Sequence, residues 1–538
     1  MLFIETTRTG QKVGRENYGK WNDPFNYTYK YIIFYNKMCG ILFAETDDSD
    51  LFIKALQTLE PRGPDECKTH DGGGYMMGHT RLAIVNPHTA TQPLVRGPWR
   101  LVFNGEIYNH GDLKASDGEV ILDMVEKHGP ITAPEYLDGI FGYVLYNVDT
   151  DEYYATRDPI GVIPVYMGIF EHGCWVASEL KALEFCENVA IVPPGYVITR
   201  TKVNKYRLNY PSLPTGEYGL IRDILVGAVE RRIPREVPWG VLLSGGLDSS
   251  IICGILSSID RPKGYPAIHS FTIGLSGSPD IEMARKQAKL CNTIHHEFTY
   301  TVEQAHELLM DTIYAIETYD VTTVRASVPQ YILASIIKKY GIKVILSGEG
   351  ADELFAGYLY NKYCPSREEM QKECIRKIED LHFYDCCRTN KTMAAHGIEC
   401  RVPFLDKTFV RYVMNIDPKY KMSGDKIEKH ILREAFKDVL HPDIYQREKA
   451  QFSDAVGSEW IDSLQEYAEK QVSTNRMYTH QPPMTKEAAL YRDIFHSCFD
   501  LEKATCCKYH HDTIACSSSS AHKWGEFESD PSAKSLYK

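Results

Sequence analysis

The sequence predicts two folded domains, an α+β domain of antiparallel sheets followed by an α/β domain with a doubly wound parallel sheet. The chain has 538 residues, which is too long for a single hydrophobic core. Short apolar runs separated by turn signals fill residues 38–210, whereas strands alternate with helices in residues 217–515. The first pattern is typical of antiparallel sheets and the second of parallel sheets.

Residues 1–37 precede both domains and differ from them in composition. They are rich in Asn, Tyr, Lys and Phe and show no helical or strand period. They lack the apolar core of a signal peptide and carry acidic residues that a transit peptide avoids. We therefore expect this extension to be no part of the fold.

The first domain is predicted from its apolar runs, which read CGILFAE, RLAIV, RLVFNGEIY, FGYVLYNV, YYATRD, VIPVYMG, CWVASE and GYVITR. Helical patterns occur only near residues 50–60 and 119–128. The stretch PSLPTG, residues 211–216, contains the Pro and Gly that indicate a linker.

The second domain begins with a helical pattern at residues 219–232, followed by the strand WGVLL, a Gly-rich turn and the helix SSIICGILSS. Further strands are predicted at HSFTIGL and IKVILSG, with helical patterns between them. A parallel sheet of this kind binds its ligands at the carboxyl ends of its strands. Residues 516–538 are Ser-rich and polar and predict a disordered tail.

Composition excludes several classes of function. A formal charge of −12 gives no general attraction to nucleic acid or to anionic membranes, and no apolar run is long enough to span a bilayer. The fifteen cysteines form no CxxC pair and predict reduced thiols in a cytoplasmic protein. Cys506, Cys507, His510, His511 and Cys516 do not match zinc spacings, which favours no metal site there.

The sharpest motif is SGGLDSS at residues 244–250, between a predicted strand and a predicted helix. Two glycines let backbone amides approach a phosphate, and the helix N-terminus adds partial positive charge. Asp248 is placed to hold the metal of a nucleoside triphosphate. The motif resembles the PP-loop of the ATP pyrophosphatases, although a simple Gly-rich turn is the structural alternative.

A second predicted strand ends in LSGEGADELFAGY at residues 346–358. Ser347, Gly348 and Gly350 offer backbone donors there. Glu349, Asp352 and Glu353 bring acids that could bind Mg²⁺ or accept a proton. An acidic helix N-terminus would explain Asp352 and Glu353 alone, but it would not explain two Gly-rich turns in one sheet.

Together with DVTTVRAS, YDCCRTNKTMAAHGIECRVPFLD and KAQFSDAVG, these motifs resemble the asparagine synthetases from residue 38 to about 516 and again in the final DPSAKSLYK. The resemblance implies an ATP site, a Mg²⁺ site and a site for aspartate and its activated intermediate.

The implied ATP-binding residues are Leu243, Ser244, Gly245, Gly246, Asp248, Ser249, Ile273, Ser347 and Gly348. The implied Mg²⁺ ligands are Asp248, Asp352 and Glu353. The implied aspartate or intermediate contacts are Thr322, Thr323, Arg325, Asp385, Arg388 and Arg401. Lys449 and Glu349 are the implied catalytic residues.

At the other end of the chain, MCGI at residues 38–41 is followed by RGPD, HTRLAIV, NGEIYN and SDGE. These segments resemble the class II glutamine amidotransferases, which implies an Ntn-type αββα sandwich with an N-terminal cysteine nucleophile. Cys39 would be that nucleophile. Asn104 and Gly105 would form the oxyanion hole. Arg81, Asn104, Glu106 and Asp117 would bind glutamine.

The position of Cys39 conflicts with that mechanism as the chain is written. The α-amino group of a terminal cysteine, with a pKa near about 8, is the base that activates the thiol. An internal cysteine has only an amide nitrogen. We therefore expect the working enzyme to lack residues 1–38.

The function implied by the resemblance is synthesis of asparagine from aspartate, ATP and glutamine-derived ammonia through β-aspartyl-AMP, with Mg²⁺ as cofactor and a homodimer as assembly. Three alternatives stay open. They are a related amide-forming enzyme such as a β-lactam synthetase, a catalytically dead binding protein, and a ligase that uses only free ammonia.

Overall fold

A computed structural model describes residues 39–63, 65–84, 91–109, 116–260, 267–449, 458–471, 478–499, 507 and 521–525. All of these belong to one compact unit that spans residues 35–538. The predicted extension, residues 64, 85 and 450–457 of the quoted motifs, and most of the predicted tail lie outside the described residues.

The strands, in chain order, are β1 (Gly40–Ala44), β2 (Glu66–Asp71), β3 (Met76–Arg81), β4 (Leu94–Arg96), β5 (Trp99–Ile107), β6 (Gly139–Asn147), β7 (Glu152–Arg157), β8 (Tyr166–Phe170), β9 (Gly173–Ala177), β10 (Glu187–Ile191), β11 (Tyr196–Ile198), β12 (Val203–Lys205), β13 (Trp239–Leu242), β14 (His269–Gly274), β15 (Ile294–Thr299), β16 (Val344–Leu346) and β17 (Glu399–Arg401).

The α-helices are α1 (Ser49–Gln57), α2 (Asp117–His128), α3 (Ala133–Tyr136), α4 (Ile221–Arg231), α5 (Leu247–Ser258), α6 (Pro279–Leu290), α7 (Val302–Glu307), α8 (Leu309–Ile316), α9 (Val321–Lys339), α10 (Ala351–Phe355), α11 (Arg367–Asp380), α12 (Asp385–Ala394), α13 (Lys407–Met414), α14 (His430–Ala435), α15 (Pro442–Tyr445), α16 (Ser458–Gln471) and α17 (Lys486–Cys498). None of the helices in the described ranges has both the length and the apolar character needed to cross a bilayer.

Two six-stranded antiparallel sheets make up the first half of the fold. Their strand orders are β10-β8-β9-β1-β3-β2 and β12-β11-β7-β6-β5-β4. The sheets face each other across a fully buried apolar layer that includes Ile41, Phe43, Val102, Val144 and Val176. This layer forms because alternate residues of each strand point to the same face.

A helix covers the outer face of each antiparallel sheet. Phe52 and Leu56 of α1 pack beside β1 and β3, and Val120, Ile121 and Val125 of α2 pack on the sheet that contains β5. The order of layers is therefore helix, sheet, sheet, helix, which confirms the predicted αββα sandwich.

The second half contains one five-stranded parallel sheet with the order β15-β14-β13-β16-β17. Helix α5 contacts both α4 and α6, whereas α8, α9 and α12 contact one another, which is the grouping expected for a doubly wound sheet. The chain passes from β13 outward through β14 and β15 and then returns to β16 on the other side of β13. The carboxyl ends of β13 and β16 therefore flank the topological switch point, where such sheets bind ligands.

The structure differs from the predicted elements in two ways. The run RLAIV contributes only Arg81 to β3, and residues 82–84 form no strand. The strands β2 and β15 carry the polar sequences ECKTHD and IHHEFT, which gave no apolar signal. Both are edge strands with exposed or half-exposed residues, so neither needs the apolar alternation on which sequence reasoning relies.

Within the predicted tail, residues 521–525 are described, and Ala521–Trp524 form a turn of 3-10 helix. Ala521 is fully buried against Tyr358 and Tyr360. The ring of Trp524 lies 6.0 Å from that of Tyr360. This short piece of the segment that sequence predicts to be disordered is thus packed on the second domain.

We expect Phe43→Ala to destabilise the sandwich by about 3–5 kcal/mol, because it leaves a cavity in the layer between the sheets. Phe43 is 0% exposed and its ring lies 5.7 Å from that of Tyr153. Urea unfolding would measure the change. Val203→Ala is the control, since Val203 is 64% exposed and its truncation should cost no more than about 0.5 kcal/mol. Equal losses from the two changes would contradict this account of the core.

Candidate functional site

The first Gly-rich turn connects β13 to α5 at the carboxyl edge of the parallel sheet. Gly245 has φ 77°, and a Cβ there would lie 2.4 Å from the carbonyl oxygen of Asp280. Gly246 is the residue before α5 and has no side-chain cap. The turn therefore needs glycine at 245, and it leaves the amides at the start of α5 available to an anion.

The second Gly-rich turn connects β16 to α10 and touches the first. A Cβ on Gly348 would lie 2.7 Å from the backbone nitrogen of Ser249. Gly350 has φ 96°. The two turns thus lie too close together for any side chain at position 348. This close approach places the start of α5 and the start of α10 on one cavity.

That cavity is lined by most of the residues predicted for ATP and aspartate. The predicted residues on its wall are Leu243, Ser244, Gly246, Asp248, Ser249, Ile273, Thr322, Thr323, Ser347, Gly348, Glu349, Asp352, Glu353, Asp385, Arg388 and Lys449. Three predicted residues do not line it, namely Gly245, Arg325 and Arg401.

Four charged side chains meet where the two turns converge. Nζ of Lys429 lies 2.6 Å from Oδ2 of Asp248 and 2.6 Å from Oδ1 of Asp352. Nζ of Lys449 lies 2.6 Å from Oδ2 of Asp352. Burial alone would raise the pKa of Asp352, but the two ammonium groups hold that pKa well below its usual value. Two carboxylates and two ammonium groups therefore form a dense cluster of fixed charge.

Mg²⁺ fits beside Asp248 and Asp352. Oδ1 of Asp248 is buried without a hydrogen-bond partner among the described residues, and Mg²⁺ is commonly held by one or two carboxylates together with phosphate and water oxygens. The described side chains include no group of three or more acids, histidines or cysteines arranged as a complete metal site. Glu353, the third predicted ligand, accepts a hydrogen bond from the Tyr358 hydroxyl through Oε1.

Glu349 lies on the same cavity and is held by helix α12. Nη2 of Arg388 donates to Oε1 of Glu349 at 2.9 Å, and the Thr389 hydroxyl donates to the same oxygen at 3.2 Å. Arg388 also pairs with Asp385 at 2.8 Å. Burial raises the pKa of Glu349 to about 7, with Asp385 adding to the rise and Arg388 opposing it. A carboxyl with that pKa can exchange a proton at neutral pH.

The segment DVTTVRAS forms the start of helix α9. Oδ2 of Asp320 accepts from the backbone nitrogen of Thr323 at 3.0 Å and from its hydroxyl at 2.7 Å. This N-cap places Thr322 and Thr323 on the cavity wall. Arg325 is directed elsewhere, because its guanidinium forms two hydrogen bonds to Glu487 at 2.7 and 2.5 Å.

The predicted nucleophile, Cys39, lies in the first half of the fold immediately before β1. Its Sγ accepts a hydrogen bond from the backbone nitrogen of Leu82 at 3.3 Å. Burial raises the pKa of the Cys39 thiol to about 12, while the nearby Arg81 and Arg62 oppose that rise. A thiol with a raised pKa of this kind reacts as a nucleophile only when a base is supplied beside it.

Two predicted oxyanion donors lie at the end of β5. Nδ2 of Asn104 is buried and has no hydrogen-bond partner among the described residues. Gly105 has φ 130°, and a Cβ there would lie 2.0 Å from the carbonyl oxygen of Ile140. An unused amide donor beside an obligatory glycine is the arrangement expected where a ligand oxygen binds.

Asp117 and Glu106 complete the predicted glutamine site. Asp117 begins α2, where Ser116 and Glu119 form a capping box, and its Oδ2 accepts from the backbone nitrogen of Ile107 at 3.3 Å. Burial raises the pKa of Asp117 to about 7. Glu106 forms an ion pair with Arg401 at 2.9 Å.

Arg401 therefore lies at the contact between the two halves of the fold and not at the predicted aspartate site. It belongs to β17, the edge of the parallel sheet, and also pairs with Glu399 at 2.7 Å. Burial raises the pKa of the Cys39 thiol and that of the Cys400 thiol, and the charges of Glu399 and Glu349, respectively, add to the two rises. Strand β17 therefore carries the arginine that joins the parallel sheet to Glu106 of the predicted glutamine site.

The sequence of the second half matches that of a known family. The profile for asparagine synthase matches residues 220–368 and 362–526. This chain belongs to the asparagine synthase family. A glutamine amidotransferase domain profile matches residues 38–230 of this synthase, and the resemblance described from the sequence motifs is confirmed.

Curated relatives extend along nearly the whole synthase chain. Asparagine synthetase B (glutamine-hydrolysing) of Escherichia coli K12 is 41% identical, over 92% of this chain and 98% of that protein. A probable asparagine synthetase (glutamine-hydrolysing) of Schizosaccharomyces pombe is 43% identical, over 86% and 94%. Asparagine synthetase (glutamine-hydrolysing) 1 of Lotus japonicus is 40% identical, over 90% and 91%.

Sequence reasoning missed one charged residue of the cavity, Lys429, which joins Asp248 to Asp352. It lies in DKIEKH with no recognisable motif, although its φ of 57° is unusual for a residue with a side chain. Only the arrangement in space distinguishes Lys429 from an ordinary surface charge.

We expect Gly348→Ala to weaken binding of ATP with Mg²⁺ by roughly tenfold or more, because the new methyl group would push the two turns apart. Isothermal titration calorimetry would measure the affinity. Gly219→Ala is the matched control, since a Cβ at Gly219 meets no atom within 4 Å. Unchanged affinity in Gly348→Ala would show that the close approach of the turns does not shape the nucleotide site.

Proposed function

We propose that this enzyme makes asparagine from aspartate and ATP, with nitrogen supplied by glutamine. The observation that carries the proposal is the single cavity in which two Gly-rich turns, the Asp248–Lys429–Asp352–Lys449 cluster and Glu349 come together. A cytoplasmic location, predicted from the cysteine usage, and a homodimer, implied by the sequence resemblance, belong to the same proposal.

The first step is activation of aspartate. Its β-carboxylate attacks the α-phosphate of ATP, which gives β-aspartyl-AMP and releases pyrophosphate. Lys429 and Lys449 line the cavity, and their ammonium groups would neutralise the charge that develops on the phosphates of ATP. Asp248 and Asp352 would hold Mg²⁺, which supplies further positive charge to the triphosphate when it is bound. Thr322 and Thr323 offer hydroxyl groups to the intermediate.

The second step is displacement of AMP by ammonia. Ammonia adds to the activated carbonyl carbon, and one proton must leave the nitrogen as the amide forms. Glu349 is placed to accept that proton, because its pKa of about 7 lets it exchange a proton at neutral pH. Arg388 and Thr389 fix the carboxylate through the two hydrogen bonds described above.

Ammonia would come from glutamine at Cys39. The α-amino group of Cys39 takes the thiol proton as sulfur attacks the side-chain amide carbon, and it returns that proton to the nitrogen, which leaves as ammonia. Water then hydrolyses the thioester to glutamate and restores the thiol. Nδ2 of Asn104 and the amide of Gly105 would stabilise the oxyanion. Arg81 would bind the carboxylate of glutamine, while Glu106 and Asp117 supply the acids beside its ammonium group. This chemistry requires a free α-amino group on Cys39, so the glutamine-using form begins at that residue.

One experiment tests both halves of the proposal. Aspartate-dependent pyrophosphate release from ATP is measured with glutamine or ammonium chloride, on the full chain and on a chain that starts at Cys39. We expect ammonium to support synthesis in both chains and glutamine only in the shorter one, because only that chain has the terminal amine as base.

Two results would overturn this proposal in different ways. No aspartate-dependent pyrophosphate from either chain would refute asparagine synthesis itself. Full glutamine activity in a chain whose mass shows that Met1 is intact would refute the requirement for a terminal cysteine and would leave the synthetase reaction standing.

The proposed role of Glu349 predicts a pH dependence. With free ammonia held saturating, kcat for asparagine should fall about tenfold per pH unit below about pH 7, because protonated Glu349 cannot accept a proton. Glu349→Gln should remove most of the activity at every pH. The rate of exchange of labelled pyrophosphate into ATP, which reports only the first step, should not show this fall below about pH 7. Identical pH profiles for the two steps would exclude Glu349 as the base.

A further inference from the structure

Helix α12 (Asp385–Ala394) is shared by both halves of the fold. Its residues 386–394 are all buried. Arg388 and Thr389 on this helix hold Glu349. The next two residues, Asn390 and Lys391, contact the first half of the fold (residues 38–210), which is called the glutaminase half below. One rigid element therefore carries both the groups that place the proposed base and the groups that meet the other domain.

The first connection runs through Asn390. Nη2 of Arg62 donates to Oδ1 of Asn390 at 3.1 Å, and Nε of Arg62 donates to the backbone carbonyl of Cys39 at 2.9 Å. Two side chains thus join the main chain of Cys39 to helix α12. Arg62 is fixed further by an ion pair with Glu179 at 2.6 Å.

The second connection runs through Lys391. Its Nζ donates to the Tyr166 hydroxyl oxygen of β8 at 2.6 Å and forms an ion pair with Glu317. The Glu317 carboxylate also accepts from the backbone nitrogens of Leu180 and Lys181, at 2.9 and 2.8 Å. The side chains of Lys391 and Glu317 are both 0% exposed.

Stability alone is a poor reason for this buried network. Two desolvated charges are often no better than apolar residues of the same volume, because the cost of desolvation offsets their attraction. Directional bonds between buried groups do, however, fix one relative arrangement of the elements that carry them. Here those elements are the strand and turn around Tyr166 and Leu180 and the helix that holds Glu349.

We propose that Asn390 and Lys391 are positioning residues that couple glutamine hydrolysis to amide formation by tying helix α12 to the glutaminase half. The inference rests on the proposed function. A movement of the main chain of Cys39 during its reaction is transmitted through the two hydrogen bonds of Arg62 to Asn390. Lys391, held by Tyr166 and Glu317, keeps the helix in register, so that Arg388 and Thr389 place Glu349 when ammonia is released.

The test uses the chain that starts at Cys39 and compares Tyr166→Phe, which deletes only the hydroxyl that Lys391 contacts, with Asn390→Ala, which deletes the bond to Arg62. We expect asparagine formed per glutamate released to fall roughly two-fold or more in each variant. Turnover with saturating ammonia should stay near the wild-type value, because Arg388 and Thr389 still hold Glu349 and no timing with Cys39 is needed when ammonia is always present. Glutaminase turnover should also stay near the wild-type value. Asn390→Asp keeps an oxygen for Arg62 and should restore the ratio.

Tyr143→Phe is the matched control. It deletes a buried hydroxyl in the same half of the fold, and that hydroxyl has no hydrogen-bond partner among the described residues. Its ratio should equal that of the wild type. Wild-type ratios in both Tyr166→Phe and Asn390→Ala would overturn the inference, as would failure of Asn390→Asp to rescue. Should Tyr166→Phe melt early, the Asn390→Ala and Asn390→Asp pair decides. Absence of both half-reactions in the wild type would instead refute the proposed function.

Discussion

The close approach of two backbone turns is the constraint on which the rest of the synthetase half depends. Gly348 lies against the backbone of Ser249 at a distance that no side chain permits. This contact brings the first turns of α5 and α10 side by side, and with them the carboxylates of Asp248 and Asp352. Two buried carboxylates that lie side by side repel each other when both are ionised, so a cation between them stabilises the pair. Lys429 meets this requirement with one ammonium group on both carboxylates.

Much of the fold follows from local sequence, because buried strands such as β1, β6, β13 and β16 are largely continuous apolar runs. The motif SGGLDSS likewise indicated its turn, since glycine and a short polar run between a strand and a helix have few other uses. Polar edge strands such as β2 gave no signal. The backbone of β2 pairs with β3 and that of β15 with β14, and the exposed side chains of these edge strands are free of the apolar pattern.

The candidate site divides in the same way. Residues within compact motifs, such as Asp352 and Glu349, line one cavity because the motif itself folds as one turn. Arg325 and Arg401 do not line that cavity, because their guanidinium groups pair with Glu487 and Glu106. Both of these acids are distant in sequence from the arginine that they hold. Lys429 was missed for the same reason, because its partners lie about 80 and 180 positions away.

The short 3-10 turn at Ala521–Trp524 bears on how the enzyme can be handled. It packs on Tyr360, whose ring is stacked 5.8 Å from that of Tyr358, and Tyr358 bonds to Glu353 in the cavity. Removal of the last few dozen residues by a protease, or a boundary drawn before residue 521 during cloning, would strip an aromatic contact that lies two side chains from the nucleotide site. An affinity tag joined there could displace Trp524 from Tyr360. Protein that lacks these residues therefore differs from the intact chain in the packing beside Tyr358 and Tyr360, even where every catalytic motif is retained.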